Sequence, residues 1–123
     1  MEAVVKIAWG LLAVLHLMPA LVVAKPELVR SLYGAEPTGD VGVLLVHRGA
    51  LFLAVMVAAV YAMLNPEARK LASIVVAISM VGFLAVYVRA GMPAGELRKI
   101  AVADLVGLIP LGIVLWGAWV ATS

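Results

Sequence analysis

The sequence contains no cysteine among its 123 residues. This absence excludes disulfide bonds, thiolate metal sites and cysteine nucleophiles. Charged residues are also scarce, at 13%, whereas 66% of the residues are hydrophobic. A soluble domain carries about 25% charged and roughly 45–50% apolar residues, so this chain has too few polar residues to cover a soluble fold. The composition therefore predicts a single membrane domain over residues 1–123.

Basic residues are too few and too scattered to indicate a nucleic-acid partner. The formal net charge is only +2, and the chain has neither a run of Lys and Arg nor an RNA-binding motif. Internal repeats and low-complexity linkers are absent from the sequence as well. The partners we expect are the lipid bilayer and a small lipophilic ligand.

Four apolar stretches are long enough to cross a bilayer, which takes about 20 residues as a helix. They cover residues 4–24, 41–64, 70–90 and 98–120. Together they predict an all-α integral membrane protein, a four-helix bundle with antiparallel up-down-up-down topology. The first stretch exceeds the usual apolar core of a signal peptide, about 7–15 residues, and we expect it to stay uncleaved.

The connections define two faces of this predicted bundle. Side A carries both termini and the 65–69 turn, and side B carries the 25–40 and 91–97 loops. Lys and Arg near side A are Lys6, Arg69 and Lys70; those near side B are Lys25, Arg30, Arg89, Arg98 and Lys99. The positive-inside rule favours side B in the cytoplasm and the termini outside. A multi-pass protein of the plasma (inner) membrane is the expected localisation.

Aromatic residues cluster near side A. Trp9, Trp116, Trp119 and Tyr61 fall at the depth where amphipathic rings anchor at the headgroups. The sequence therefore predicts that side A anchors the protein in the membrane.

The 25–40 connection is the only long one. Its apolar positions Leu28, Val29, Leu32 and Tyr33 are spaced like a short interfacial helix. Two interpretations stay open: the segment covers the side-B mouth of the bundle, or it is a surface loop that rests on lipid.

Four ionisable side chains lie inside otherwise apolar stretches, at one depth below side B. At 1.5 Å per residue, His16, His47, Arg48 and Asp104 lie about 10–13 Å from that side. Tyr87 lies above them, at about 6 Å. Because charge at membrane depth is costly, such residues usually face the bundle interior or a wet cavity. The cluster is therefore a candidate site.

Helical spacing predicts which face of each span points inward. On the first span the inward set is Trp9, Leu12, His16 and Pro19. On the second it is His47, Ala50, Ala54, Ala58 and Tyr61, a small-residue stripe of the kind that lets helices pack closely. On the fourth it is Asp104, Gly107, Leu108 and Leu111. Pro19 is expected to bend the first helix just above His16.

The first functional hypothesis is a small lipophilic or anionic ligand bound in this polar pocket, with acid/base or redox chemistry as its extension. His47 or His16 would act as acid or base, and Asp104 would set its tautomer or charge. Arg48 would hold an anionic or carbonyl group through its bidentate fork. Tyr87 would donate a hydrogen bond into the pocket.

Two alternatives stay open. One is an electron-transfer protein with haem b held by His16 and His47; a zinc site that adds Asp104 lacks the usual ligand spacing, and no dedicated metal site is predicted. The other is a structural or accessory membrane subunit, or a small homo-oligomeric transporter, in which Arg48 and Asp104 form a packing ion pair. Ser73 and Ser79 are interpreted as bonding to their own helix backbone.

Several motifs resemble a family of small bacterial four-helix membrane proteins with a DoxX-like plan. They are the run Ser31-Leu32-Tyr33-Gly34, the run from Leu44 to Phe52 that contains His47-Arg48, and Ala103-Asp104-Leu105-Val106. The resemblance covers nearly the whole chain. It implies the bundle and a His-Arg pair with a later Asp as recurring features, but no reaction. The label "phosphopantetheine adenylyltransferase", which some members carry, has no support in this sequence, which lacks a phosphate-binding loop.

Overall fold

The structure, a computed structural model, describes residues 1–121, and these form helices joined by short connections. The last two residues of the predicted domain lie outside this range. The helices are α1 Glu2–Leu15, α2 Leu17–Leu21, α3 Leu28–Tyr33, α4 Gly39–Leu64, α5 Arg69–Arg89 and α6 Glu96–Trp119, and a 3-10 turn, Pro66–Ala68, precedes α5. The all-α prediction is confirmed over the described range.

Three of the predicted spans are confirmed as long helices. These are α4, α5 with its preceding turn, and α6, each long and apolar enough to cross a membrane. Their outer surfaces carry large exposed apolar side chains, such as Leu71, Ile78 and Ile109, each about 70% exposed. Apolar surface of this extent is unusual on soluble monomers, so the helices indicate a membrane protein.

The prediction of one continuous helix over 4–24 is wrong. α1 ends at Leu15, and α2 begins at Leu17. Pro19 explains the interruption, because it has no N–H to donate to the Leu15 carbonyl and its ring crowds that group. The predicted bend above His16 is instead a break at His16 itself, whose N–H is shared between the carbonyls of Leu12 and Ala13.

The core lies where α1, α4, α5 and α6 meet. α1 packs against α4 and α6, α5 packs against the same two helices, and α2 packs against α4. The buried core residues are Val5, Ala8, Trp9, Leu12, Ala13, Ala59, Ala62, Ala72, Val76, Met80, Leu111 and Val114. The inward faces predicted for α1 and α6 agree with this core, since Trp9, Leu12 and His16 are enclosed and Gly107 and Leu111 are buried.

Trp9 was predicted to be a headgroup anchor from its position, and this prediction is wrong. Its side chain is fully buried, and its indole Nε1 has no hydrogen-bond partner among the described residues. Trp116, Trp119 and Tyr61 are exposed. Trp119 donates to the Ser73 hydroxyl, which itself donates to the Lys70 carbonyl. The expected backbone bond of Ser73 is therefore confirmed.

A buried arginine on side A closes the α4–α5 turn. Arg69 donates from Nε to the Ala62 carbonyl at 2.8 Å and from Nη2 to the Met63 carbonyl at 3.0 Å, two acceptors at the end of α4. Its two terminal nitrogens also reach both carboxylate oxygens of Glu2, at 2.8 and 3.1 Å. Arg69, which the sequence placed among the side-A cations, thus links the start of α1 to the end of α4 inside the fold.

The short interfacial helix predicted in the 25–40 connection is confirmed as α3. It packs on α4 and α6, and Val29 is fully buried there. Gly42 permits the close approach of the connection to α4, because a Cβ at that position would lie 2.3 Å from the Pro37 backbone. Within the connection, Arg30 donates to Glu36 and holds the pKa of that carboxyl below its usual range. Of the two interpretations, the structure favours the one in which the segment covers the side-B end of α4 and α6.

Candidate functional site

His16 lies at the α1–α2 break, enclosed by the bundle with 1% of its surface exposed. Its Nδ1 lies 2.8 Å from the Leu12 carbonyl oxygen. Because a carbonyl can only accept, Nδ1 carries the hydrogen. Its Nε2 lies 3.0 Å from the Ser79 hydroxyl on α5 and accepts the hydroxyl hydrogen in a neutral ring. Both ring nitrogens are therefore engaged by the protein itself.

The prediction that Ser79 bonds to its own helix backbone is wrong. Its side chain bonds to His16 and joins α5 to the broken first helix. The His16 ring also contacts Phe52 on α4, at 5.4 Å between ring centroids. The His16 contacts thus join three elements, an arrangement that suits packing better than proton transfer.

His47 was predicted to face the interior as part of the small-residue stripe of α4, but it does not. The side chain is exposed, as are Ala54 and Tyr61 of that stripe, whereas Gly49 and Ala59 are buried. The buried positions of α4, which are Gly42, Gly49, Ala59 and Ala62, therefore lie on nearly the opposite side of the helix from the predicted stripe. Small residues occupy both faces of α4, so their spacing alone could not distinguish them.

The two histidines do not fit a bis-His haem. An axial ligand needs a free ring nitrogen directed at the iron, but His16 uses both of its nitrogens and His47 lies on the outer surface of α4. No hydrogen bond or ion pair joins any two of His16, His47 and Asp104 within residues 1–121. The described range also contains no group of three His, Cys, Asp or Glu residues that could hold a metal ion.

Arg48 is one residue further along α4 and faces inward. Its guanidinium carbon lies 4.6 Å from the ring centroid of Phe52, 5.2 Å from that of Phe83 and 5.8 Å from that of Tyr33. Phe52 and Phe83 are the only phenylalanines of the chain. Cation–π contacts contribute roughly 0.5–2 kcal/mol each, depending on desolvation. The rings stabilise the partly buried charge, but they accept no conventional hydrogen bonds from it.

Arg48 makes few hydrogen bonds to the described protein residues. Of the five guanidinium N–H donors, the one on Nε reaches the Tyr33 hydroxyl at 3.3 Å. For the two terminal nitrogens, the described residues supply no acceptor. Arg69 shows the contrast, because all three of its nitrogens bond to protein oxygens.

Asp104 lies on α6 and is partly buried. The predicted ion pair between it and Arg48 is not formed: in the part of the chain that the structure describes, no cation lies within 4.0 Å of the Asp104 carboxylate. The ion pair with a buried arginine joins Arg69 to Glu2 instead. Arg48 contacts Tyr33, Phe52 and Phe83. We call Tyr33, Arg48, Phe52 and Phe83 the Arg48 site.

Tyr87 lies beside the Arg48 site but does not donate into it. Its hydroxyl donates to the Pro93 carbonyl at 2.7 Å, which ties the 91–95 connection to α5. Its ring stacks on Phe83, with centroids 6.0 Å apart and an interplanar angle of 19°. Tyr87 therefore supports the aromatic wall, which corrects its predicted role as a hydrogen-bond donor to a ligand.

Three aromatic residues of the site were not predicted, although part of their pattern is local. Phe52 follows Arg48 by four residues, and Ser79, Phe83 and Tyr87 are also spaced by four, which places each set on one face of its helix. Tyr33 could not be found this way, because it reaches Arg48 from a separate segment.

Comparisons with protein-family models, with curated proteins and with solved structures found no match to this chain. The resemblance to DoxX-like proteins stays a prediction.

Proposed function

We propose that this chain is an integral protein of the plasma (inner) membrane whose Arg48 site binds the polar head of a small lipophilic molecule. α4, α5 and α6 each cross the bilayer, and α1 with α2 makes the fourth crossing. Residues 2–21 would extend about 30 Å at helical rise, which matches the hydrocarbon thickness. The resulting antiparallel four-helix bundle would place side B in the cytoplasm, in line with its excess of Lys and Arg.

One observation carries the proposed binding. Arg48 is a partly buried arginine whose terminal N–H groups have no protein acceptor among the described residues, although all three side-chain nitrogens of Arg69 bond to protein oxygens. A guanidinium in an apolar setting is costly unless its donors are satisfied. An oxygen of a ligand head would satisfy them in the bidentate geometry that arginine favours.

The surroundings of Arg48 suit a lipophilic ligand. Phe52 and Phe83 offer apolar walls, and α3 covers the site from side B through Tyr33. The site lies about 13 Å along α4 from Gly39, within reach of a molecule that enters from the lipid. Binding, rather than acid/base chemistry, is the activity that we propose, because both nitrogens of His16 are already engaged.

The test is to identify what the protein retains after mild solubilisation. Native mass spectrometry and lipid extraction would be applied to the parent and to Arg48→Gln, Arg48→Lys and Arg98→Gln. Arg98 is an exposed side-B cation outside the site and provides the matched control. We expect the parent and Arg98→Gln to retain one lipophilic molecule per chain, and Arg48→Gln to lose it about tenfold or more, since bonds to charged groups contribute about 1.5–3 kcal/mol.

Arg48→Lys should retain an intermediate amount, because lysine keeps the charge but not the planar fork. Circular dichroism of each variant checks that the helices persist. Equal retention by the parent and a folded Arg48→Gln would refute the proposal and favour a purely structural membrane subunit.

A further inference from the structure

Arg69 and Arg48 differ in what their terminal nitrogens bond to. At Arg69, Nε donates to an uncharged oxygen, the Ala62 carbonyl, at 2.8 Å. Its terminal nitrogens donate to the two carboxylate oxygens of Glu2, at 2.8 and 3.1 Å. Arg48 repeats the first part of this pattern, because its Nε donates to the Tyr33 hydroxyl oxygen at 3.3 Å. The second part, a carboxylate on the terminal nitrogens, has no counterpart at Arg48 among the described residues.

The charge of Arg48 is not balanced by the protein either. Within residues 1–121, no Asp or Glu oxygen lies within 4.0 Å of its guanidinium nitrogens. The rings of Phe52 and Phe83 attract the cation through their quadrupoles, with centroids 4.6 and 5.2 Å from the guanidinium carbon. The rings carry no net charge, so the site stays positive at membrane depth, where unpaired charge is costly. One negative charge on the ligand would balance it.

The Tyr33 hydroxyl is a further donor beside this cation. Its oxygen accepts from Nε of Arg48, and its own hydrogen bonds to no described residue. A tyrosine hydroxyl can accept and donate at the same time. The Arg48 site therefore offers two terminal nitrogens and one hydroxyl hydrogen, and it contains no acidic side chain. A ligand head that accepts several hydrogen bonds matches these groups.

We propose that the ligand head at the Arg48 site is a single carboxylate, bound bidentately by the terminal nitrogens of Arg48 and by the hydroxyl of Tyr33. This inference rests on the proposed function, and it adds the chemical class of the ligand and a second binding residue. Two parallel N–H···O bonds are the usual geometry of an arginine–carboxylate pair, and Glu2 forms such a pair with Arg69 in this fold. A carboxylate also brings one negative charge, which neutralises the site.

Two other accepting heads fit less well. An uncharged amide or ketone would accept from Arg48, but it would leave the charge unbalanced in an apolar setting. A phosphate monoester carries a charge of about −1.5 to −2 at pH 7, which is more than one guanidinium balances. The excess negative charge would be repelled by the faces of Phe52 and Phe83, which are the negative part of a ring quadrupole. A carboxylate matches the site in both charge and planar shape.

The experiment compares three amphiphiles with the same twelve-carbon chain: dodecanoate, dodecanamide and dodecyl phosphate. Each is titrated into the intact protein in neutral detergent at pH 8, well above the usual pKa of a carboxyl group. One-to-one binding is measured by native mass spectrometry. The variants are Tyr33→Phe and Arg48→Gln. Their matched controls are Tyr61→Phe and Arg98→Gln, since both residues are exposed and lie outside the site.

We expect the parent to bind dodecanoate at least about tenfold more tightly than dodecanamide or dodecyl phosphate, and both controls to behave in the same way. Tyr33→Phe should weaken dodecanoate about tenfold, because a hydrogen bond to a charged acceptor is lost. Dodecanamide should be weakened less, since a bond to an uncharged acceptor contributes less. The preference of the parent protein is itself a test, and it needs no variant to fold.

Three results would overturn the inference. If the parent binds dodecanamide or dodecyl phosphate as tightly as dodecanoate, while Arg48→Gln loses all three, the carboxylate head is wrong and binding at Arg48 stands. If Tyr33→Phe weakens all three equally, or behaves as Tyr61→Phe does, the Tyr33 hydroxyl does not bind the carboxylate. If Arg48→Gln binds dodecanoate as the parent does, the proposed function fails together with the inference.

Discussion

The bond between His16 and Ser79 allows a quantitative test of whether this histidine is structural. In Ser79→Ala, the Nε2 acceptor of a ring that is 1% exposed loses its partner at 3.0 Å. An unsatisfied buried group costs about 1–3 kcal/mol, whereas interhelical hydrogen bonds in membranes average about 0.6 kcal/mol. We expect Ser79→Ala to lower the free energy of unfolding by about 1–2 kcal/mol, the lower part of the range for an unsatisfied buried group, because the membrane average is smaller.

A double-mutant cycle separates this bond from other effects of the alanine. In a His16→Leu background no acceptor is left unsatisfied, so Ser79→Ala should change the unfolding free energy by less than about 0.5 kcal/mol. The expected coupling between the two positions is then about 1 kcal/mol. Ser73→Ala is the matched control, because Ser73 lies on the same helix and bonds to Trp119 and Lys70 rather than to His16.

The assay is reversible unfolding in mixed micelles, followed by circular dichroism as the denaturing detergent is increased. Ser73→Ala should have the same effect in both backgrounds, within about 0.5 kcal/mol. If Ser79→Ala is equally destabilising in the parent and in His16→Leu, the side chains do not interact. His16 would then be free for the acid/base or ligand roles that its occupied nitrogens argue against.

Three further outcomes follow from the packing and charges. Gly42→Ala should destabilise the protein by about 1–3 kcal/mol and speed proteolysis of the 25–40 connection, because its Cβ would lie 2.3 Å from the Pro37 backbone; an unchanged cleavage rate would contradict this. Trp9→Phe should change the unfolding free energy by less than about 1 kcal/mol, since the ring volume is largely kept and an unpaired buried N–H is removed. Arg30 lowers the pKa of Glu36 in the folded state, so this pair stabilises the connection above the usual carboxyl pKa. Its contribution disappears as the pH falls through the lowered pKa. A titration of the Glu36 carboxyl carbon by NMR with a midpoint at or above pH 4.5 would refute this.

The parts of the fold that the sequence predicted well depend on local signals. Apolar length located α4, α5 and α6, and turn residues bounded them. Asp104 and Gly107 marked the inner face of α6, because a polar and a small residue shared a face with leucines. The spacing of Leu28, Val29, Leu32 and Tyr33 was likewise sufficient for α3.

The errors arise where the sequence carries no amphipathic contrast. In α4 nearly every side chain is apolar or small, so a stripe through His47 looked as good as the true inner face through Gly49 and Phe52. The Arg69–Glu2 clamp joins residues 67 positions apart, and no helical spacing encodes such a contact. The position of the break at His16 depended on the Pro19 ring and the Leu15 carbonyl rather than on hydropathy.

Ionisable side chains in the apolar helices of this chain differ in how completely the protein bonds them, and this separates structure from a candidate site. His16 and Arg69 are enclosed, and every nitrogen of their side chains has a protein partner. Removing a partner of His16 or Arg69 would leave a buried polar group unpaired at a large cost in free energy, which is typical of packing residues. Arg48 and Asp104 have the opposite character, with capacity for hydrogen bonds that the described residues leave unused. Because unsatisfied polar groups at membrane depth are unfavourable unless something else binds them, the proposed ligand would gain most at the Arg48 site, and the completed bonds of His16 are the reason that the proposal leaves the histidine out.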